Sequence, residues 1–364
     1  MMQAKRQVRW CWLAVMAIAG WLSSHPLMAA EPGVVLEEFI YDDASFPECH
    51  AATLAETPQG IVAAWFGGTA ERNPDVGIWI SRREADRWTA PKQVADGVQS
   101  ATERFPCWNP VLYQVPNGRL LLFYKVGPSP EAWWGMLKSS GDHGATWSEA
   151  TRLPDGMLGP IKNKPIPLKD GQLLSGTSDE SDGWIAFVEF CDVEGEHWRR
   201  SAPLNTKDQF GAIQPTILRY ADGRLQLLCR TRERVVSETW SSDEGQTWSP
   251  MQATTLPNPN SGIDGVTLTD GRQLLVYNHS VRHGLFPAGR EVLNVATTRD
   301  GQEWNAVVRL EKHPAGEFSY PAVIQSADGM VHILYTHDRK KIKHVVLDPS
   351  KLVERPIVNS KWPE

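Results

Sequence analysis

The chain has 364 residues and a net charge of −6, with 37 lysines and arginines against 43 aspartates and glutamates. An acidic protein lacks the electrostatic attraction that brings proteins to phosphate backbones, so we predict no nucleic-acid partner. The 16 tryptophans, 29 glycines and 26 prolines, without an apolar stretch of helical period after residue 30, exclude a helical bundle and favour short strands with many turns.

The first thirty residues differ from the rest of the chain. Lys5, Arg6 and Arg9 precede an apolar run over residues 10–22, and small residues follow just before Glu31. This order is typical of a secretory signal peptide, because the run is too short to span a membrane and ends in a cleavable segment. We therefore predict removal of residues 1–30, no membrane span in the mature protein, and a periplasmic or secreted location.

A turn signal recurs six times after this leader, each time with a glycine before a β-branched or aliphatic run. The six glycines are Gly60, Gly118, Gly171, Gly223, Gly271 and Gly329, at intervals of 58, 53, 52, 48 and 58 residues. Near-constant spacing over the whole remaining length indicates six copies of one supersecondary unit. The fold predicted for residues 31–364 is a single all-β domain, a six-bladed β-propeller with its function at the central axis.

A second motif, Ser-x-Asp-x-Gly-x-x-Trp, runs in phase with the first. Complete copies cover residues 140–147 and 241–248, and degraded copies lie at 81–88, 195–198 and 298–304. The Asp and Ser side chains of such a motif bind backbone donors of a tight turn, Gly supplies a positive φ, and Trp packs against the next blade. Because the motif repeats, we interpret Asp142, Asp243 and Asp300 as structural and not catalytic.

Four cysteines follow the leader. Cys49 and Cys107 stand at matching places in two consecutive repeats, each shortly after Phe-Pro. An exported compartment permits a disulfide between them, although the repeat does not fix their distance. No spacing of Cys and His is typical of a metal site, so we predict neither a metal nor another cofactor.

A polar residue stands at the start of the strand before each turn glycine. In the six repeats this residue is His50, Asn109, Lys164, Gln214, Asp264 and Tyr320. The innermost strand of each blade lines the channel of a propeller, so these side chains are predicted to converge around one mouth. The alternative for Asn109 and Lys164 is that they only hydrate a channel that is normally wet.

A second set of positions follows seven residues after each turn glycine, where the next strand returns to the same mouth. It holds Gly67, Lys125, Ser178, Arg230, Asn278 and Thr336. Arg230 from this set and Arg290, which opens a later strand, are predicted to clamp a carboxylate, because the planar fork of Arg matches a planar anion. The alternative is that either Arg pairs with a structural acid such as Glu291.

These motifs resemble those of the non-viral sialidases over residues 40–345. Ser-x-Asp-x-Gly-x-x-Trp is the Asp-box of that family, and the phrases over residues 63–68 and 108–112 are similar to those of bacterial predicted neuraminidases. The resemblance implies a six-bladed propeller whose site holds three Arg that clamp the sugar carboxylate, a Tyr nucleophile assisted by a Glu, and an Asp acid/base. Matched residue by residue, Arg230 and Arg290 correspond to the second and third Arg and Tyr320 to the nucleophile.

The acid/base of the family falls on Asp75, with Glu71 as the alternative. Two positions depart from the family pattern, because the first Arg would fall on His50 and the assisting Glu on Gln214. Gln accepts no proton, and ionising an unperturbed phenol at neutral pH costs about 4 kcal/mol. His50 could act as the base, because closure of the ring makes blades one and six neighbours.

We predict an exported exo-glycosidase of sialidase type that hydrolyses a terminal acidic sugar bound through the Arg clamp, with Tyr320 as nucleophile and Asp75 as acid. The partner is a carbohydrate with a carboxylate, and we expect a monomer. One alternative is a uronate-directed polysaccharide lyase or a glycosidase that depends on His50. Another is a carbohydrate-binding propeller without catalysis.

Aromatic residues near the mouth agree with a sugar ligand. Trp108 and either Trp133 or Trp134 are predicted to stack on sugar rings. The alternative is that these residues pack between blades, as most of the 16 tryptophans must do.

Overall fold

Six antiparallel sheets make up almost all of the secondary structure in the computed structural model, which describes residues 31–282 and 288–364. The predicted all-β, six-bladed propeller is confirmed, since each sheet is one blade of four or five strands. None of the described segments forms a helix with the length and hydropathy needed to cross a membrane. The predicted signal peptide lies outside the described residues and stays a prediction.

The first strand of the described residues is β1 (Val34–Phe39), and the blades follow one after another. The strands of the first three blades, from the axis outwards, are β2 (Glu48–Thr57), β3 (Gly60–Gly68), β4 (Gly77–Glu84), β5 (Arg87–Trp88) and β6 (Lys92–Ala95); β7 (Cys107–Gln114), β8 (Leu120–Val126), β9 (Trp134–Ser140) and β10 (Thr151–Arg152); and β11 (Ile166–Pro167), β12 (Leu173–Asp179), β13 (Ile185–Cys191) and β14 (Arg199–Arg200).

The last three blades use both ends of the described chain. Their strands are β15 (Ala212–Arg219), β16 (Leu225–Thr231), β17 (Val235–Ser241) and β18 (Gln252–Pro257); β19 (Asp264–Thr267), β20 (Gln273–Tyr277), β21 (Val292–Thr298) and β22 (Asn305–Lys312); and β23 (Phe318–Gln325), β24 (Val331–His337) and β25 (Lys341–Leu347). The strand β1 pairs with β25, so the first described strand completes blade six and closes the ring. After a 3-10 turn at Pro349–Lys351, β26 (Arg355–Pro356) pairs with β22 at the edge of blade five.

The turn glycines and the Asp-boxes have the local structure that their residues predict. All six turn glycines have a left-handed φ, from 84° at Gly271 to 116° at Gly60. In the first complete Asp-box, the Asp142 carboxylate accepts hydrogen bonds from the backbone N of Thr146 at 2.8 Å and from its hydroxyl at 2.6 Å. These bonds lower the pKa of Asp142 to about 2. The motif therefore holds a turn between two strands and lies outside the site.

A β-bulge interrupts the inner strand of four blades at one repeated position. The bulged residues have φ between 34° and 56° and lie nine residues before the turn glycine; they are Ala51, Asn109, Gln214 and Tyr320. In blades three and five, the residues nine positions before the turn glycine are Lys162 and Gly262. The sequence alignment is therefore one residue off at His50, because the bulge at Ala51 changes the register without leaving a trace in the hydrophobic pattern. It is two residues off at Lys164 and Asp264, in blades three and five, whose described inner strands pair without a bulge.

Lys164 and Asp264, predicted to bind substrate, join neighbouring blades. The Asp264 carboxylate accepts hydrogen bonds from Lys164 Nζ at 3.0 Å, from Thr216 Oγ1 at 3.0 Å and from the backbone N of Val323 at 2.9 Å. Asp264 is 2% exposed. A buried carboxylate with this many donors is saturated, so we assign both residues a structural role.

The hydrophobic core lies between successive blades. Ile78, Leu112 and Leu122 are fully buried between blades one and two, and each such side chain contributes roughly 1.5 to 3 kcal/mol through the area that it removes from water. Trp108, predicted to stack on a sugar, also belongs to the core. Its ring is 2% exposed and its indole N–H donates to the Gly127 carbonyl at 2.9 Å, so it presents no face to a ligand.

The cysteines of the described chain are buried free thiols. Cys49 accepts a hydrogen bond from the Tyr41 hydroxyl at 3.0 Å, and burial raises the pKa of its thiol to about 12. Cys107 lies in a different apolar cluster, between blades one and two. The disulfide that export would permit between the two is therefore not formed in this structure.

Candidate active site

Tyr320 stands at the centre of the mouth because of the bulge in β23. Its φ is 52°, a left-handed conformation that costs a non-glycine residue about 1 kcal/mol or more and is typical of functional positions. The phenol oxygen accepts a hydrogen bond from Arg230 Nη1 at 2.7 Å and a longer one from Gln214 Nε2 at 3.4 Å. Both partners therefore donate to this oxygen, an arrangement that stabilises negative charge on it.

Arg230 is buried at the end of β16, as the apolar residues before it predict. Its Nε donates to Asn260 Oδ1 at 2.9 Å and its Nη1 donates to Gln214 Oε1 at 3.2 Å. The guanidinium carbon lies 5.3 Å from the ring centroid of Trp184, on the hairpin after β12. These contacts fix the guanidinium plane beside Tyr320. Trp184 was missed by sequence reasoning, which looked for aromatic residues only next to inner strands.

Two further arginines share one buried carboxylate. Arg290 Nη1 donates to Glu317 Oε1 at 3.1 Å, and Arg339 Nε donates to Glu317 Oε2 at 2.9 Å. Arg339 Nη1 also forms an ion pair with Glu71. Burial opposes the charge of Arg339, but Glu71 and Glu317 outweigh it and raise the pKa of Arg339.

The guanidinium groups of Arg230 and Arg290 both face the Tyr320 ring, at 5.6 and 5.7 Å from its centroid. The two residues that the resemblance matched are therefore brought together. Arg339 was missed because the sequence match placed the family's first Arg on the first blade, at His50. It comes from the hairpin after β24, which ring closure sets beside blade one. The sequence signal that could have indicated Arg339 is the pair Asp338-Arg339, directly after the hairpin of β23 and β24.

His50 lies against Tyr320 but is not a strong base. Its ring centroid is 4.1 Å from that of Tyr320, and its Nδ1 lies 3.0 Å from the Thr336 hydroxyl. The Nε2 atom is buried and has no hydrogen-bond partner among the described residues. Burial, reinforced by the charges of Arg339, Arg290 and other nearby cations, lowers the pKa of His50 well below its usual value. The imidazole is therefore neutral at neutral pH.

Lys162 forms the floor of the site under Tyr320. Its ammonium donates to the carbonyl oxygens of Pro321 at 2.6 Å and of Ile263 at 3.1 Å. Burial lowers the pKa of Lys162 to about 7, although the charge of Asp264 opposes the shift. Sequence reasoning selected Lys164 instead, which lies two residues further along the chain, because the sequence does not show which of the two lysines faces the axis.

Three carboxyl groups belong to the loops around the mouth. Asp75, predicted as the acid, is exposed, and its carboxylate accepts from the Thr69 backbone N and hydroxyl, both at 2.8 Å. Glu71 is bound to Arg339. Glu180, in the hairpin after β12, was missed; burial raises its pKa to about 6, although the charge of Arg230 opposes the shift. Asn109 occupies the bulge of blade two in the same ring and is 4% exposed.

A group with metal-ligand geometry lies away from this site, within the described residues. Asp192, Glu196 and His197 form it, on the degraded Asp-box turn of blade three. Asp192 already accepts from the backbone N of Glu196 at 2.8 Å and contacts His197 Nδ1 at 2.6 Å, as a turn residue does.

A propeller with Asp-box turns and a Tyr-Arg cluster at the mouth of its axis defines the class of this protein. The family model of the BNR repeat-like domain matches residues 59–333, and the chain belongs to this family. The predicted membership of the Asp-box (BNR) repeat proteins is thereby confirmed. No curated protein sequence matches the chain.

Several solved structures share the fold at low identity. A protein of unknown function from Dyadobacter fermentans has a TM-score of 0.69 at 16% identity, over 88% of this chain and 100% of that one. The NanB sialidase from Streptococcus pneumoniae has 0.66 at 12%, over 87% and 71%. An α-L-arabinanase from Penicillium chrysogenum has 0.64 at 18%, over 88% and 100%.

Proposed function

We propose that the protein is an exo-glycosidase of sialidase type that releases a terminal acidic sugar from a carbohydrate. The observation that carries this proposal is the position of Tyr320 between two arginines. The Tyr320 oxygen accepts a hydrogen bond from Arg230 Nη1 at 2.7 Å, and the Arg290 guanidinium carbon lies 5.7 Å from the centroid of the Tyr320 ring. Guanidinium groups bind carboxylates through paired hydrogen bonds. A sugar carboxylate held by Arg230, Arg290 and Arg339 would bring its anomeric carbon beside the phenol oxygen.

In the proposed reaction the Tyr320 phenol gives its proton to solvent water, its oxygen attacks the anomeric carbon, and the bond to the leaving oxygen breaks. A carboxylic acid donates its proton to that oxygen. Water then attacks the anomeric carbon, the same carboxylate takes the proton of the water, and Tyr320 is released. Asp75 remains the predicted acid, but Glu180 is a strong competitor, because a pKa of about 6 keeps the group protonated closer to neutral pH.

The phenol must lose its proton without the usual carboxylate base. Gln214 accepts no proton, and a His50 with a lowered pKa is a weak base. The compensation that we propose is electrostatic: Arg230 donates directly to the phenol oxygen, and Lys162 lies 5.8 Å from the ring centroid. Cations fixed in a poorly hydrated site stabilise a developing oxyanion more strongly than water does.

A uronate-directed polysaccharide lyase is the second candidate, favoured by Gln214 and by the neutral His50 with its unbonded Nε2. In this reaction the arginines neutralise the uronate carboxylate, and His50 or Tyr320 takes the proton α to it. The bond from the β carbon to the glycosidic oxygen breaks, a carbon–carbon double bond forms, and the leaving oxygen takes up a proton.

Purified protein tested on two substrate classes distinguishes these functions. An aryl sialoside should be hydrolysed by the wild type and left intact by Tyr320→Phe, with fluorescence or absorbance of the released aryl alcohol as the measurement. A lyase would leave the sialoside intact and give an ultraviolet-absorbing product from uronate oligosaccharides, lost in His50→Ala. Inactivity on both classes, with sugar binding retained in Tyr320→Phe, would support a binding protein.

A further inference from the structure

Two histidines and a glutamate form a cluster at the seam of the ring, where blade six meets blade one. Glu38 belongs to β1, His332 to β24 and His344 to β25, so each comes from a different strand of blade six. His344 is fully buried and His332 is 8% exposed. His332 follows shortly after the turn glycine Gly329, at the end of β24 opposite to the mouth. The reaction proposed above uses none of these side chains of the seam cluster.

The seam cluster is one continuous line of hydrogen bonds. His344 Nδ1 lies 2.8 Å from Glu38 Oε1, and His344 Nε2 lies 3.0 Å from His332 Nδ1. The two imidazole planes are within 9° of each other, as a hydrogen bond in the plane of both rings requires. A carboxylate only accepts, so Nδ1 of His344 carries the proton and its Nε2 accepts from Nδ1 of His332. The order of the line assigns the tautomer of each neutral ring.

Blade one binds the same carboxylate oxygen from the other side of the seam. Trp88 Nε1 on β5 donates to Glu38 Oε1 at 2.9 Å, and Arg83 Nε on β4 donates to it at 3.3 Å. The Trp88 ring also meets the His344 ring edge to face, with centroids 5.3 Å apart. A single carboxylate therefore joins β1 to blade one and, through His344, to the two strands beside it.

This line accommodates one additional proton but not two. His332 can take a proton at Nε2 without losing a bond, because its Nδ1 still donates to His344. A second proton would go to His344 Nε2 and set two N–H groups against each other across 3.0 Å. Two like charges at this distance in a buried place repel strongly. His344 would relieve the repulsion by turning away, which breaks its bond to Glu38.

Burial keeps both rings neutral at neutral pH. It lowers the pKa of His332 to about 4, with the charge of His344 in support and that of Asp328 in opposition. It also lowers the pKa of His344, although Glu38 opposes the shift, and the charge of Arg83 acts against protonation of both rings. Since both pKa values are below the 6.5 of an exposed histidine, released chain binds protons more readily than folded chain. The stabilisation is complete above pH 6.5 and is lost as the pH falls from 6.5 towards 4.

A third histidine contacts β1 nearer the mouth. The His337 ring centroid lies 5.2 Å from that of Phe39, and its nitrogens lie 3.3 Å from the Asp338 carboxylate and 3.9 Å from that of Glu311. Burial lowers the pKa of His337, although both carboxylates oppose the shift. The other charged groups against β1, joined by ion pairs, are Glu37, Lys343 and Glu311. Acid could therefore also act on β1 through His337, and a test has to separate the two effects.

We propose that the seam cluster is a pH-sensitive switch that holds the ring closed at neutral pH and releases β1 in acid. Once both imidazoles carry protons, His344 leaves Glu38, and β1 detaches from blade one and from β25 while the other blades stay folded. The switch needs no sugar and no turnover, so it is independent of the reaction proposed above. The mouth end of the same seam is held by the ion pair of Arg339 with Glu71, so release of β1 would also loosen one of the three arginines.

Hydrogen–deuterium exchange of the whole protein, read by mass spectrometry, measures the release of β1. Exchange is compared at about pH 7.5 and about pH 5, after correction for the intrinsic pH dependence of amide exchange. Relative to β16 in blade four, we expect peptides covering β1 to exchange at least about tenfold faster at the lower pH. Equal acceleration of β1 and β16, or an unchanged β1, would overturn the proposal.

Two matched variants assign the effect to the seam cluster. His332→Asn keeps a donor at the position of Nδ1, and its amide can turn its oxygen towards a protonated His344. We expect β1 of this variant to be protected at about pH 7.5 as in the wild type and to change by less than about twofold at about pH 5. His313→Asn is the same change at an exposed histidine and should respond to acid as the wild type does.

An acid response of β1 that persists in folded His332→Asn would assign the release to other groups and contradict the switch. If His332→Asn does not fold, His337→Asn takes its place with the opposite expectation. Its β1 should still be released in acid, because the seam cluster is intact. Loss of the acid response in His337→Asn would transfer the effect to His337 and overturn the proposal.

Discussion

Replacing Gln214 by Glu should place a base beside Tyr320, the proposed nucleophile. Gln214 is 2% exposed, with its Nε2 3.4 Å from the Tyr320 oxygen and its Oε1 3.2 Å from Arg230 Nη1. A glutamate is nearly the same size, so it reaches the same two partners. Its carboxylate keeps the contact with Arg230 and turns the neighbour of the phenol from a donor into an acceptor.

The expected gain in kcat depends on the free energy of ionising the Tyr320 phenol, which a neighbouring base lowers. An unperturbed phenol costs about 4 kcal/mol to ionise at pH 7. Positioned general bases contribute about 10²- to 10⁴-fold. The ion pair with Arg230 reduces the basicity of the new carboxylate and weakens the support that Arg230 gives to the phenol oxygen. We therefore expect kcat for an aryl sialoside to rise by about tenfold to a hundredfold.

The assay is the release of the aryl alcohol across pH 4 to 10. With a carboxylate base the rate should rise through about pH 4 to 5 and then level off, whereas a reaction limited by phenol ionisation keeps rising with pH. Gln214→Ala serves as control and should not gain activity. A folded Gln214→Glu protein with unchanged or lower kcat at every pH would refute the view that the wild type lacks a base at this position.

Three further substitutions test other parts of the structure. Arg230→Ala should weaken binding of a carboxylated sugar by about 2 to 5 kcal/mol and barely affect the matching neutral sugar in calorimetry, while equal losses would make Arg230 purely structural. Glu180 has a folded pKa of about 6, above its value of 4.5 in the unfolded chain, so its contribution to stability is complete below pH 4.5 and is lost as the pH rises through 6. Glu180→Gln should therefore raise the free energy of unfolding at pH 7 by about 2 kcal/mol in denaturant titrations, and should abolish any fall in activity through pH 6 if Glu180 is the acid. Asp264→Ala should lower the free energy of unfolding by about 3 to 5 kcal/mol, because it leaves Lys164 without its buried partner, and a loss below 1 kcal/mol would contradict the role of this pair in joining blades.

Local chemistry explains why much of the fold was predictable. A turn glycine with left-handed φ and an Asp that binds the donors of its own turn are set by a few adjacent residues, so their repetition revealed both the number of blades and their spacing. Tyr320 and Arg230 were also found from sequence, because each stands at a fixed distance from a turn glycine and ends or begins an inner strand.

The rest of the site depends on contacts between distant segments. Arg339 reaches the mouth only because β1 pairs with β25 and closes the ring, which brings the last hairpin beside blade one. Glu317 is recognisable only through the two arginines that share its carboxylate, and Glu180 through the burial that raises its pKa. None of these relations changes the pattern of apolar residues along the chain.

By itself, the sequence determined the repeat, the propeller and the positions of Tyr320 and two arginines around the axis, because these depend on spacing along one strand or turn. The tertiary structure decided which polar residues face the axis. The packing of the blades placed Lys162 in the site and left Lys164 and Asp264 paired between blades, and burial made Trp108 a core residue and His50 a neutral imidazole. Register and burial arise from packing between blades, so they are fixed only when all six blades are assembled.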